Sequence, residues 1–134
     1  MDPKITINIF VDVIGALSKQ SLRQQRMIMT DNSIYNSTNQ GSPNLITACV
    51  PGQLIQWNAY AVDVQTPVVI KGIQFSDDLH SNEKEEIVEQ AVIWSGYVPY
   101  NVTSGQFCKY ILQLQMGEGS NSILSVDTCG LIIV

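Results

Sequence analysis

One histidine, three cysteines and a run of carboxylates are the residues of this chain whose types could carry chemistry. A Ser-His-Asp or Cys-His mechanism has to move its proton through His80, because a hydroxyl or thiol needs an adjacent base to become a nucleophile. His80 stands in an acidic, loop-like stretch and reads as an exposed loop histidine. Cys49, Cys108 and Cys129 are widely spaced, odd in number and form no C-x-x-C pair. They read as buried thiols of a reducing compartment rather than as a disulfide framework or a zinc site. A blue-copper centre needs two histidines and a cysteine, which a single histidine excludes. The sequence also has no phosphate-cradling loop, no dinucleotide fingerprint and no H-E-x-x-H. These residues point away from an enzyme and toward a chain that binds or assembles.

Two binding chemistries are in view. Asp77, Asp78, Glu83, Glu85, Glu86 and Glu89 place half of the twelve acidic residues between positions 76 and 90. They lack the alternating D-x-[DN]-x-[DN]-G spacing that converges oxygens on calcium. A solvated acidic loop is the better reading, with Asn82 and Glu85 spaced as the capping box of a short helix or turn. The second chemistry is lectin-like. Asp31 and Asn32 offer a carboxylate and an amide for sugar hydroxyls, and Trp94, Tyr97 and Tyr100 offer rings for the apolar face of a glycan. Calcium could assist such a site through Asp31, Asp77 or Asp78.

Short strands must position these residues. Ile5, Ile7, Ile9, Val11 and Val13 alternate with Lys4, Thr6, Asn8, Phe10 and Asp12, the period-two signature of a strand with one buried face. Gly15 ends that pattern, and 16–25 reads as a polar connection with one helical turn. Further strands are expected over 26–30, 45–50, 53–64, 68–75, 91–98, 107–116, 122–126 and 130–134. Pro51-Gly52 is the strongest turn signal, since proline sets its own φ and glycine accepts the positive φ that follows. Ile55, Trp57, Ala59 and Ala61 then share one face. Trp57 is expected as the large core residue of a central strand, with an indole N–H that needs a partner. From 31 to 44 runs an Asn-, Ser- and Thr-rich loop. About seven to nine short strands with turn chemistry between them describe an all-β fold, an antiparallel β-sandwich with one short helical turn.

At 134 residues, residues 1–134 form a single domain with enough chain for its own core. Apolar residues make up 45% and charged residues only 14%, and the net charge is −5. No basic patch is available to displace phosphate counterions, which excludes a nucleic-acid partner. No run reaches membrane-spanning length, and Asn8 and Asp12 interrupt the only stretch resembling a signal peptide. A cytoplasmic protein is expected. A surface this weakly charged repels its own copies little, so a homodimer or higher oligomer is expected. The apolar end Leu131, Ile132, Ile133 and Val134 is the candidate association segment, since it has to be paired in a sheet or buried against a partner chain.

Several segments, in order, resemble the bacterial inclusion-body protein family (the AidA/PixA family). They are Ile9-Phe10-Val11-Asp12-Val13-Ile14-Gly15-Ala16-Leu17-Ser18, Met29-Thr30-Asp31-Asn32, Asn36-Ser37-Thr38 and the Gly-x-x-x-x-Trp of Gly52 to Trp57. The series continues through the strand from Val69 to Phe75, Trp94-Ser95-Gly96, Tyr110 to Leu114 and Ser125-Val126-Asp127. Order and spacing carry the resemblance, which spans nearly the whole chain. Gln53 departs from it, standing where the family has an acidic residue after the turn glycine, and Thr128 stands where proline is usual. The resemblance implies a non-enzymatic, cytoplasmic, bacterial β-sandwich made in quantity, able to pack into intracellular inclusions and linked to host association.

Overall fold

The computed structural model describes residues 3–22, 26–62, 66–75, 84–88, 91–117 and 122–134. Within them the chain forms a two-layer all-β sandwich of nine strands with one short helix. The strands are β1 (Ile5–Val11), β2 (Met27–Asp31), β3 (Ile46–Cys49), β4 (Leu54–Ala61), β5 (Val68–Phe75), β6 (Lys84–Val88), β7 (Ala91–Tyr97), β8 (Phe107–Met116) and β9 (Ile123–Ile133). One sheet has five strands in the order β2-β1-β4-β7-β6, and the other has four in the order β3-β9-β8-β5.

Alternation sets the layers. Ile5, Ile7, Ile9 and Val11 are buried on the inner face of β1, and Cys108, Tyr110, Leu112, Leu114 and Met116 face them from β8. β4 is the middle strand of its sheet, so Trp57 sits at the centre of the core. Its indole N–H donates to the Tyr110 hydroxyl at 3.3 Å, and the two rings meet edge-on at 5.9 Å.

Most neighbouring strands run antiparallel, but two pairs are parallel: β1 with β4, and β3 with β9. Parallel pairing requires a long crossover, and in both cases the connection passes through other strands. Helix α1 (Val13–Lys19) also departs from the expected boundaries. The Asp12 side chain accepts the Gly15 N–H at 3.1 Å and caps the helix, ending β1 at Val11. Val13, the last residue of the apolar alternation, is buried as a helical residue instead. Gln20 stops the helix in the left-handed region, with φ 51°.

Two other expectations are corrected. The acidic stretch, expected as a loop or helical turn, contains strand β6, paired antiparallel with β7 from Lys84↔Ser95 to Val88↔Ala91. The rest of it, including Asp77, Asp78, His80 and Asn82, lies outside the described residues. The two C-terminal segments are one continuous strand, β9. Residues 127–129, expected between two strands, continue the ladder, and Gly130 allows a close approach, because a Cβ there would fall 2.8 Å from the Cys108 carbonyl oxygen.

Burial governs the ionisable core. It pushes the Cys49 and Cys129 thiols from 9.0 up to about 12, and it raises the Tyr110 phenol well above its ordinary value. Below the unfolded-state value near 9 both states hold these protons. Above it the unfolded chain ionises first, so stability falls as pH rises from 9.0 toward about 12. The urea midpoint should therefore be level up to about pH 9 and drop beyond it; a midpoint independent of pH through that window would contradict the burial of these groups. Tyr110→Phe leaves the buried Trp57 N–H without an acceptor and should cost about 1–3 kcal/mol in the same assay.

Candidate functional site

Asp31 and Asn32 close β2, at the edge of the five-stranded sheet. The Asp31 carboxylate accepts hydrogen bonds from the Ser33 N–H at 3.0 Å, Gln40 Nε2 at 2.9 Å and the Thr47 hydroxyl at 2.8 Å. Thr47 is fully buried in β3, the edge of the opposite sheet. The Asn32 side-chain oxygen accepts the Thr6 N–H at 2.7 Å. Ser33 donates its hydroxyl to the Ala48 carbonyl, and the Ser37 hydroxyl accepts the Ala48 N–H at 3.0 Å. This arrangement fastens the 31–44 loop across the open side of the sandwich and joins the two edges, with most of the carboxylate's acceptor capacity engaged.

The three aromatic residues separate by strand parity. Trp94 and Tyr97 are three residues apart in a strand, which places them on opposite faces. Trp94 pairs with Trp57, packs against the core and donates its indole N–H to the Ile70 carbonyl at 3.0 Å. The acceptor lies where the β5–β8 register shifts, between Ile70 and Gly72. Tyr97 pairs with Leu54 on the outer face and is 53% exposed, and Tyr100 is 84% exposed.

Tyr97 and Tyr100 come together around the Pro51-Gly52 turn. With Lys4 and residues 51–54 they line a groove of about 450 Å³; Asp31, Asn32 and Trp94 are not part of it. Gly52 has φ +82°, and a Cβ there would lie 2.6 Å from Cζ of the Tyr100 ring, so this position needs glycine for two reasons. The turn is tied to the end of β7 by Gly52 N–H to the Val98 carbonyl at 2.7 Å and Val98 N–H to the Gln53 carbonyl at 2.9 Å. Gln53 has a buried side chain. It accepts the Val50 N–H at 3.0 Å and donates to the Pro3 carbonyl at 2.8 Å, which fixes the chain on which Lys4 stands. An ionised carboxylate could accept the first bond but not donate the second. The departure at Gln53 from the inclusion-body pattern thus has a local physical reason.

The groove offers rings, phenolic hydroxyls and one ammonium group, which is contact chemistry. Lys4 is the residue that sequence reasoning missed. Its place here depends on the parallel pairing of β1 with β4, for which the sequence carries no local signal.

The other candidates have structural surroundings. Leu131, Ile132 and Ile133 belong to β9, which is hydrogen-bonded to β3 on one side and β8 on the other, and Leu131 and Ile133 are buried. The sheet itself accounts for the apolar end, and only Val134 is substantially exposed. Cys49, Cys108 and Cys129 are buried and form no disulfide. Among the described residues no group of three His, Cys, Asp or Glu could hold a metal ion, and no helix is long and apolar enough to cross a membrane.

Comparison with known proteins places the fold. The family described as Domain of unknown function (DUF8788) matches residues 3–122. No curated protein matches the sequence. Among solved structures, the chain is similar to an inclusion body protein (PixA) from Burkholderia cenocepacia J2315, with a TM-score of 0.70 and 11% identity. That alignment covers 98% of this chain and 94% of the other. The expected resemblance to the inclusion-body family therefore holds in the fold.

Gly52→Ala tests the groove. It should lower stability by about 1 kcal/mol or more, since alanine is strained at positive φ. It should also displace the Tyr100 ring, seen by NMR as loss of the contacts between that ring and residue 52. An unmoved ring would show that the groove does not depend on the glycine.

Proposed function

We propose, for a chain that belongs to the family described as Domain of unknown function (DUF8788), a non-enzymatic role as a self-associating protein of bacterial inclusions, serving storage or host association from the cytoplasm. The observation that carries this reading is the end-to-end likeness to an inclusion body protein, which spans 98% of this chain and 94% of the other. Composition supports it. Charged residues are 14% of the chain, and Ile14, Ile34, Tyr60 and Val62 are large apolar side chains left exposed. Leu131, Ile132 and Ile133 are hydrogen-bonded between β3 and β8, which favours association through the outer faces or the loops over edge pairing by that strand.

Light scattering on the purified protein at several concentrations, with calcium and with chelator, tests the proposal. Particle size should grow with concentration and be the same in both conditions. A monomer of fixed size at every concentration would overturn it.

A second reading has one observation in its favour. Tyr97 and Tyr100 share a groove with Lys4 and the Pro51-Gly52 turn, a pairing of rings and cation suited to a glycan. In this lectin-like reading the rings cover the sugar and Lys4 holds a hydroxyl or carboxylate. Glycan arrays should show selective binding that Tyr100→Ala removes, and calcium dependence would bring in a metal-assisted site. Blank arrays with and without calcium would end this reading.

A further inference from the structure

The outer face of the five-stranded sheet differs from an ordinary solvated sheet surface. Strand register sets out its rows. Ile28, Phe10 and Tyr60 lie side by side across β2, β1 and β4. The rings of Phe10 and Tyr60 stack at 5.5 Å, and Tyr60 is 48% exposed. At the opposite end Leu54 pairs with Tyr97. Between these apolar ends runs a ladder of amides. Lys4 Nζ donates to Gln56 Oε1 at 3.0 Å, Gln56 Nε2 to Asn58 Oδ1 at 3.1 Å, and Asn58 Nδ2 to Asn8 Oδ1 at 3.4 Å.

We infer that this face is the surface on which a second copy of the chain docks, an inference that rests on the self-association reading above. Charge selects the occupant. The chain carries a net −5, yet among the described side chains of β2, β1, β4 and β7 the outer face bears no carboxylate, and its one charged group is Lys4 at the corner. The outer face of the four-stranded sheet, by contrast, exposes Lys71 and Lys109. Two copies of an acidic protein meet at least cost where neither presents a carboxylate.

The chemistry is self-complementary. Each side-chain amide has two N–H donors and two acceptor lone pairs, so a ladder that uses one of each can still bond to its own image. A two-fold axis through the amide rows sets amides on amides. It also sets an apolar row on an apolar row, whether the axis runs along the strands or across them. The four strands β2, β1, β4 and β7, about 4.8 Å apart and about seven residues long at ~3.3 Å each, give a footprint of roughly 450 Å². Before the projecting aromatic ends are added, this is about half of the ~800 Å² per partner of a standard interface.

The test is sedimentation velocity over a concentration series on the full chain, with folding checked by circular dichroism. Asn58 lies at the centre of the face, so Asn58→Glu and Asn58→Lys each place like charges against one another in the dimer. Each variant should associate at least tenfold more weakly than wild type, and an equimolar mixture of the two should recover association. Gln113→Glu, on the exposed face of the other sheet, should behave as wild type. Thr30→Glu, on the margin of the same outer face, replaces the Asn58 variants if they do not fold and should also weaken association. If wild type associates and the outer-face variants associate equally well, this surface is overturned while the self-association reading stands. If wild type itself is monomeric throughout, both fail together.

Discussion

The bond from the Trp57 indole to the Tyr110 hydroxyl is the constraint on which the rest of the sandwich depends. Both residues are fully buried, and they come from the middle strand of one sheet and an inner strand of the other. Removing either polar atom from water without a partner costs a few kcal/mol, a large part of the net stability of a domain this size. The pair also fixes register. A slip of one residue in β4 would turn Trp57 to solvent and bring Gln56 or Asn58 into the core. Since β1 follows β4 residue for residue from Ile5↔Ile55 to Val11↔Ala61, that one contact sets which residues of both strands face outward. Phe75 packs its ring against both partners, at 6.4 Å from Trp57 and 5.4 Å from Tyr110.

Two further polar links close the sides of the sandwich. On one side the Asp31 carboxylate reaches across to Thr47 at 2.8 Å. On the other the Trp94 indole reaches the Ile70 carbonyl at 3.0 Å. Each satisfies a buried or half-buried group that would otherwise be a liability, and together they tie the two sheets to each other on either side of the central pair. Asp31 and Trp94 attract attention in the sequence because a lone carboxylate beside an amide, or an indole beside glycine, resembles a binding residue. In the fold their polar atoms are engaged between the layers. Recognition chemistry is left to the outward-facing half of the alternation, to residues such as Tyr97, Gln56 and Asn58.

This division explains what could be read from the sequence. Strands with one buried face were legible, because alternation is a local pattern: β8 runs from Phe107 to Met116 as expected, and Trp57 takes its central place. The end of β1 was not legible, because Val13 continues the alternation while Asp12 caps a helix, and the pattern cannot show which of the two wins. β6 was hidden by its charge, since Glu85 and Glu86 read as loop residues but stand in a strand paired to β7. The C-terminal strand was expected to break over 127–129, but Asp127, Thr128 and Cys129 continue it, and Gly130 serves close packing against β8. Parallel pairing left no local trace at all, and with it went the position of Lys4 beside the Pro51-Gly52 turn. Tyr97 and Tyr100 could be picked out, and the strand expected over 91–98 already sets Trp94 and Tyr97 on opposite faces, but the approach of Tyr100 to Gly52 has no local signal.

Charge placement ties these points to assembly. Half of the acidic residues lie between 76 and 90, in the part of the chain that contains the edge strand β6. Screening confines exposed charges to a Debye length of about 8 Å at physiological salt, less than half the ~20 Å width of four strands. Glu85 and Glu86 stand in the edge strand β6, so their charges repel a second copy that approaches edge to edge more than one that approaches across the centre. An edge strand bearing charge is also a recognised guard against open-ended strand pairing. The same segregation that guards the edge leaves the amide ladder as the least repulsive approach for a second copy.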